Sequence, residues 1–475
     1  MKIAFGVVLM FAARFIVQAM YNPHSNADIY WQRWLGDRIL QTGHLPFALG
    51  SETAASAGAP WVPQEWALSI AIALASHAHA FLVLALIATA AGAAVLLITA
   101  AAAKRLGASD LAVAICVVCT GFAIYESFGV RAQTFGWIFI ALFFYVLRCT
   151  GGKAHYWLLP ITVLWANLHA SAMLAPVLMA VWTLGTLLDE RGFTPAVKQS
   201  LVLTAGCAAS LCATPLGLRL PLYAIQLFTS PIRHGIVEWQ PADLAAESFT
   251  FGLLPLLAGA CVLGMGKRRD WLIFIACTWL ALEAVRNISV AAVIIAPVLA
   301  VRLTDVLPER LRINQLLKER GIAILAYAAF VPCTFVIFTM FSSGLRAAAR
   351  GLPEHAMIVA AAQPGMHRIY CDDWAWCSLA LAHANMQEFM DGRCDPFPLE
   401  IWKEYDTITR VKPQWRYLLA QRGIDEVLAR RSGRLAKALR TRAEWHAIYA
   451  DKRYQLFIRE DGGERTAYYQ RKPEP

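Results

Sequence analysis

The chemistry this chain could perform begins with a carboxylate just past its first apolar segment. Asp28 lies in Asn22-Pro23-His24-Ser25-Asn26-Ala27-Asp28-Ile29-Tyr30-Trp31, within a polar, tryptophan-rich loop over residues 21–65. The apolar spacing of residues 29–40 predicts a helix lying in the headgroup plane, with Asp28 as its N-cap. The same carboxylate suits a general base, its pKa raised by partial burial and held down by a nearby cation. Candidate cations are Arg131, Arg286 and His169, each beside an apolar segment. A buried guanidinium costs about 2.5–3.5 kcal/mol at mid-membrane and less near a helix end, so each arginine either reaches headgroups or holds an anion. His169, in the very short turn of Trp165-Ala166-Asn167-Leu168-His169-Ala170-Ser171, fits a carbonyl-bonded structural histidine or the floor of a polar cavity. Further acids are Glu65, in Pro63-Gln64-Glu65-Trp66, and Glu126, in the loop that ends at Arg131. Glu238-Trp239-Gln240-Pro241 reads as an interfacial anchor with a solvated acid, or as a sugar contact, because flat aromatic faces stack on sugar rings. Near the C-terminus, Asp391 and Gly392 suit a tight turn, with Arg393 placed to pair with Asp395. No glycine-rich phosphate loop, Ser/His/Asp order, nucleotide fingerprint or Cys/His zinc spacing is present.

The elements that must position these groups are membrane helices. The chain is 58% hydrophobic and 16% charged, with a mean hydropathy of +0.48, against about a quarter charged in soluble domains. The net charge of +10 is not interleaved with aromatics in a nucleic-acid pattern; it fits cytoplasmic loops and anionic lipid headgroups. Nucleic acid is excluded as a partner. Apolar segments of spanning or near-spanning length are expected at 2–20, 80–103, 110–125, 132–147, 156–168, 170–188, 197–213, 249–264, 271–285, 288–301 and 322–341, about eleven in all. The first reads as an uncleaved span, with Arg14 snorkelling to the interface. Residues 66–76 are too few to cross comfortably and read as an interfacial or re-entrant helix.

With the N-terminus inside, Lys104-Arg105, Arg148 and Lys153, Arg191 and Lys198, Lys267–Arg269, and Arg302 with Arg310, Arg312, Lys318 and Arg320 all fall on the cytoplasmic side. Counting 66–76 as a span would invert every one of these loops. The candidate residues then share the outer side with the C-terminal segment. The expected division is a membrane domain over 1–345, carrying the loop 21–65, and a C-terminal domain over 346–475. The latter reads as a small α/β domain with strands at 367–371, 426–429, 447–450 and 454–458, helices at 415–422 and 435–443, and a frayed polar tail. Of the 11 cysteines, Cys371, Cys377 and Cys394 lie in this segment, where two of the three can join if the compartment is oxidising.

An apolar helix, then Asp28, an aromatic-rich helix, Gly43-His44-Leu45-Pro46, Gly58-Ala59-Pro60-Trp61 and Gln64-Glu65-Trp66 resembles the first external loop of GT-C glycosyltransferases. The resemblance covers roughly the first 150 residues in layout, and the first loop in detail. The family's usual acid-His-Pro-Pro stretch is replaced here by Pro63-Gln64-Glu65-Trp66. It implies an all-α polytopic bundle with a small extracytoplasmic α/β domain. It also implies a glycosyltransferase using a polyprenyl-phosphate-linked sugar donor and a glycan, lipid or protein acceptor of the cell envelope, in a bacterial inner membrane with the C-terminal domain periplasmic. On this reading Asp28 is the base and Glu126 the second acid. Arg131, Arg286 and His169 hold the donor phosphate, while Glu65, Glu238 and Trp239 contact substrate. Membrane lipids are partners; no cofactor is expected, with a divalent cation left open. Two alternatives stand: a non-catalytic scaffold presenting the C-terminal domain, and a carrier or flippase for a lipid-linked substrate.

Overall fold

The computed structural model describes residues 2–307 and 351–459. The expected span 322–341, the basic residues 310–320 and the tail beyond 459 lie outside them. Contacts divide the chain into two units: Met1–Asn22 with His77–Ala348, and Pro23–Ser76 with Ala349–Pro475. The division expected at 345/346 assigns the loop 21–65 to the membrane domain; its contacts group it with the C-terminal segment instead.

The first unit is a helical bundle. Its helices are α1 (Lys2–Ser25), then, after α2 (Asp28–Thr42) and α3 (Trp66–His77), α4 (Phe81–Arg105), α5 (Asp110–Tyr125), α6 (Ala132–Cys149), α7 (Leu158–Ala166), α8 (Leu174–Glu190), α9 (Pro195–Ser210), α10 (Arg219–Thr229), α11 (Leu254–Leu263), α12 (Arg268–Glu283) and α13 (Ile288–Val306). Among the described residues, five segments are long and apolar enough to cross a membrane: Ile3–Met20, Phe81–Arg105, Ala132–Cys149, Ala170–Glu190 and Val285–Val306. The protein is therefore an integral membrane protein. α4 carries no charge before Lys104 and, at 1.5 Å per residue, extends about 37 Å. α13 is apolar all round and buried continuously from Ile288 to Ala300, as expected of a helix enclosed by others. It packs on α4, α5, α6, α11 and α12. The stretch expected as one span at 249–264 is a π-helical turn, Ser248–Leu253, leading into α11, and 156–168 contributes only the nine residues of α7. α10 is not evident from the hydropathy pattern. Arg14, expected to snorkel, donates to the Tyr125 hydroxyl at 2.9 Å and lies over that ring.

Loop contacts sort the helix ends into two groups. At one end Lys104 pairs with Asp110 at 2.8 Å, Arg148 with Asp270 at 3.2 Å, Arg268 N–H donates to Asp189, and Ser109 N–H to the Thr304 hydroxyl. At the other, Gln18 donates to the Phe128 carbonyl, Asn167 to the Ala213 carbonyl, and Val285 N–H to the Gln240 carbonyl. The basic loops share one end and the candidate loops the other. α1 finishes, and α4 starts, at the candidate end, so the intervening chain makes no net crossing. α3, at 12 residues, is too short for one.

The second unit has a five-stranded mixed sheet in the order β2-β1-β3-β5-β4, from β1 (His367–Cys371), β2 (Met386–Glu388), β3 (Glu426–Arg430), β4 (Trp445–Ala450) and β5 (Tyr454–Arg459). β1 runs parallel to β2 and β3; β5 is antiparallel to β3 and β4. Helices Glu354–Ala361, Leu399–Thr409, Trp415–Gln421 and Arg434–Arg440 accompany it. A disulfide joins Cys371 to Cys377, and Cys394 is buried as a free thiol. The loop is built into this unit. Ala54 N–H donates to the Glu388 carbonyl and Glu388 N–H to the Glu52 carbonyl, an isolated parallel bridge at Thr53 beside β2. Trp31, Leu35, Leu49 and Trp61 share one apolar core with Tyr370, Phe389, Phe397 and Phe457. The apolar face of α2, expected to lie against headgroups, is thus covered by protein. α2 meets α3 so closely at Gly36 that an added Cβ would fall 2.0 Å from the Ser69 carbonyl oxygen, a contact only glycine permits.

Candidate functional site

In the helical unit five of the expected residues converge. Arg131, at the entry to α6, pairs with Glu238 at 2.6 Å. Arg286, in the 3₁₀ turn Val285–Asn287 ahead of α13, stacks its guanidinium over the Trp239 ring at 4.7 Å. Its Nη2 lies 3.5 Å from His169 Nε2. Gln133 donates to the Arg286 carbonyl and fixes that turn to α6.

Local backbone fixes His169. The chain leaves α7 at Asn167 and extends through His169, whose Nδ1 accepts the Ser171 N–H at 3.0 Å. Ser171 Oγ sits 2.7 Å from Nδ1 and accepts from Trp165 Nε1. With Nδ1 accepting a backbone N–H, the neutral ring carries its proton on Nε2. Burial, then the Arg286 charge, push the imidazole down to about 3, so the ring is neutral in the physiological range. Two N–H donors, Nε2 of His169 and Nη2 of Arg286, therefore face one another, an arrangement suited to an oxyanion. Arg131 holds Glu238 far down, at about 2, against the opposing effect of burial and with help from Arg286.

Glu126 takes a separate role. Its carboxylate accepts the Glu247 N–H and the Ser248 hydroxyl, tying the α5–α6 loop to the start of the π-helical turn. Ser171 and Trp165 orient His169 and escaped the sequence reading; only the tightness of the turn hinted at them. Among the described residues, no group of three or more His, Cys, Asp or Glu side chains is arranged to hold a metal ion.

Asp28 and Glu65 belong to the second unit. Asp28 is not the cap of α2 but its first residue, Ala27 standing at the N-cap position. Trp31 Nε1 donates to its Oδ1 at 3.2 Å. The turn Asp391-Gly392-Arg393 lies directly against it: a Cβ on Gly392 would stand 2.7 Å from Asp28 Oδ1 and 2.9 Å from Ser378 Oγ. Gly392 N–H donates to that same Ser378 hydroxyl. Arg393, whose expected local partner is Asp395, reaches Glu52 at 3.0 Å, Glu388 at 2.8 Å and Asp391 at 2.7 Å, fully buried over the Trp34 and Trp61 rings. Burial and the adjacent Asp391 push Glu388 well above the carboxylate range, partly offset by Arg393, so three acids share one guanidinium without three full charges. Glu65 accepts from Gln32 and Gln64, joining α2 to the start of α3.

No family model matches the sequence, and no curated protein matches it. Solved structures do. The archaeal oligosaccharyltransferase AglB from Archaeoglobus fulgidus, in complex with an inhibitory peptide and a dolichol-phosphate, superposes with a TM-score of 0.61 at 11% identity, over 90% of this chain and 69% of that one. ArnT from Cupriavidus metallidurans bound to undecaprenyl phosphate gives 0.54 at 13% identity, over 96% and 98% of the two chains. Apo ArnT gives 0.53 at 14%, over 95% and 97%. Over most of its length, this chain therefore has the fold of the GT-C glycosyltransferases AglB and ArnT.

Proposed function

We propose that this protein is an integral-membrane glycosyltransferase that moves a sugar from a polyprenyl-phosphate donor to a cell-envelope acceptor on the extracytoplasmic face. The observation that carries the proposal is the facing pair of donors on Arg286 and neutral His169, flanked by Arg131 and the Trp239 ring. Likeness of fold to a transferase bound to undecaprenyl phosphate adds weight. So does the segregation of basic loops to the opposite end of the bundle. A disulfide between Cys371 and Cys377 fits an oxidising compartment such as a bacterial periplasm.

In the proposed reaction Asp28 takes the proton of the acceptor hydroxyl as that oxygen bonds the anomeric carbon. The bond from that carbon to the phosphate oxygen breaks, and polyprenyl phosphate departs with the electron pair. Arg131, Arg286 and the Nε2–H of His169 stabilise the charge it gains. Glu238 occupies the anion position on Arg131 until the donor phosphate takes its place, and Trp239 offers an aromatic face to the sugar. Glu126 supplies the second acid and Glu65 a substrate contact. Transfer from a radiolabelled polyprenyl-linked sugar is expected to fall by at least roughly a hundredfold in Asp28→Asn. Arg286→Ala should lose a similar factor, as for loss of an oxyanion donor of about 10²–10³. Undiminished transfer in either variant would refute its assigned role.

A further inference from the structure

The most unbalanced stretch of the C-terminal segment lies far in sequence from every residue of the proposed site. Between Arg430 and Arg459 stand nine arginines and lysines and only two acids, Glu444 and Asp451. Both acids are already engaged. Glu444 pairs with Arg416 at 2.7 Å. Asp451 closes the β4–β5 hairpin, accepting the Arg453 and Tyr454 N–H groups and the Tyr449 hydroxyl. Beside that hairpin is a cavity of about 570 Å³ lined by Arg431, Ser432, Lys437, Arg440, Lys452 and Gln455. Four cations surround it and no carboxylate does.

Its arginines are held by neutral acceptors. Arg440 Nε donates to Gln455 Oε1 at 2.9 Å and its Nη2 to the Arg431 carbonyl; Arg431 Nη1 donates to the Asp451 carbonyl at 2.7 Å. Among the described residues, no carboxylate pairs with Arg431, Lys437, Arg440 or Lys452. Fixed guanidinium forks with uncancelled charge are what a multiply charged oxyanion requires, and the two ammonium groups add point charges that adapt to it. The volume falls in the range of small-molecule sites.

We propose that this cleft is an anion site for a phosphate-bearing ligand of headgroup size, separate from the Arg131–Arg286 cluster and independent of the proposed transfer reaction. Arg431 and Arg440 orient the phosphate; Lys437 and Lys452 neutralise it. The ligand is either the headgroup of a phosphorylated lipid or a soluble phosphorylated saccharide, which present the same group to the cleft.

The test is equilibrium binding of radiolabelled inorganic pyrophosphate to the full-length protein in a neutral detergent. Lys437→Glu with Lys452→Glu should weaken one saturable site roughly tenfold or more, two charge-assisted contacts being lost. Arg434→Glu with Arg442→Glu, an equal charge change on exposed residues outside the cleft, should leave it within about twofold, since exposed charges are largely screened. The site should persist in Arg286→Ala. Equal thermal midpoints for the two double variants exclude misfolding as the cause. No saturable site in the wild type, equal weakening by both double variants, or loss in Arg286→Ala would each overturn the proposal. In nanodiscs, competition by phosphatidic acid supports the site and names a lipid headgroup. Competition by a sugar phosphate, and none by the lipid, supports it and names a soluble ligand.

Discussion

At the scale of single residues, the candidate site depends on how burial and hydrogen bonding set protonation. His169 is held neutral because burial and Arg286 both disfavour its cation. An ordinary histidine would change charge near pH 6.5. Donor binding, followed by titrating a polyprenyl phosphate between pH 5 and 8, should therefore show no inflection from this ring. A step near 6.5 that vanishes in His169→Gln would contradict the neutral assignment. Gly392 acts on Asp28 through space alone. In Gly392→Ala the new methyl group would press on Oδ1 of Asp28 from 2.7 Å. Displacing a reacting group by about 1 Å can cost on the order of a hundredfold, so kcat should drop by roughly ten- to a hundredfold. Donor KM should stay level, because the cations proposed to hold the phosphate are untouched. An unchanged kcat would remove Gly392 from any positioning role. Gly392 was not legible in the sequence, since it meets Asp28 only through folding, whereas Ser171 lies two residues from the histidine it bonds and only the tightness of that turn hinted at it.

At the scale of elements, hydropathy resolves what hydropathy controls. α4, α6 and α13 are uninterrupted apolar runs and emerge close to their expected bounds. Where backbone geometry intervenes, the pattern says less. Nothing in the apolar run at 249–264 announces the π-helical turn, which Glu126 and Ser248 help to begin. The strands β1, β3 and β5 follow their β-branched and aromatic residues, whereas the three-residue β2 is too short to carry a period. The disulfide fastens the end of β1 to the 3₁₀ segment Trp374–Ala382 that packs on α2. Replacing both cysteines in Cys371→Ser with Cys377→Ser should lower the stability of this unit by about 2 kcal/mol, the chain-entropy value for so short a loop. Urea titration of the variant against the oxidised wild type measures it. No difference would mean that the crosslink stabilises nothing.

At the scale of the whole molecule, the loop and the C-terminal segment fold as one unit around buried ionisable groups. His367 sits 3.4 Å from both Asp425 and Glu426. Burial alone would lower its pKa; the Asp425 hydrogen bond and the Glu426 charge outweigh burial and raise it. Glu388 is raised as well, by burial and Asp391. A group whose pKa is raised on folding stabilises fully below its unfolded value, near 6.5 for histidine and about 4.3 for glutamate, and that contribution is lost as pH climbs through the folded value. Both groups act in the same direction. Thermal unfolding of the full-length protein should begin at a lower temperature at pH 8 than at pH 5.5. His367→Asn should shrink the difference, and a midpoint that rises with pH would disprove the linkage.

The amino-acid order alone determined that this chain lives in a membrane, which loops share a side, and that its C-terminal third is a mixed α/β domain. Those properties follow from local averages: runs of apolar residues, clusters of lysine and arginine, and short β-rich stretches between turns. Only the tertiary structure decided what the tryptophans of the first loop do and what Arg286 meets. Trp31 and Trp61 are core residues because the C-terminal segment, more than 300 positions away, supplies the surface that covers them. Arg286 meets His169 and Trp239 because helix packing brings three separate loops to one end of the bundle. Contacts between residues so far apart in sequence depend on packing that no local window of residues contains.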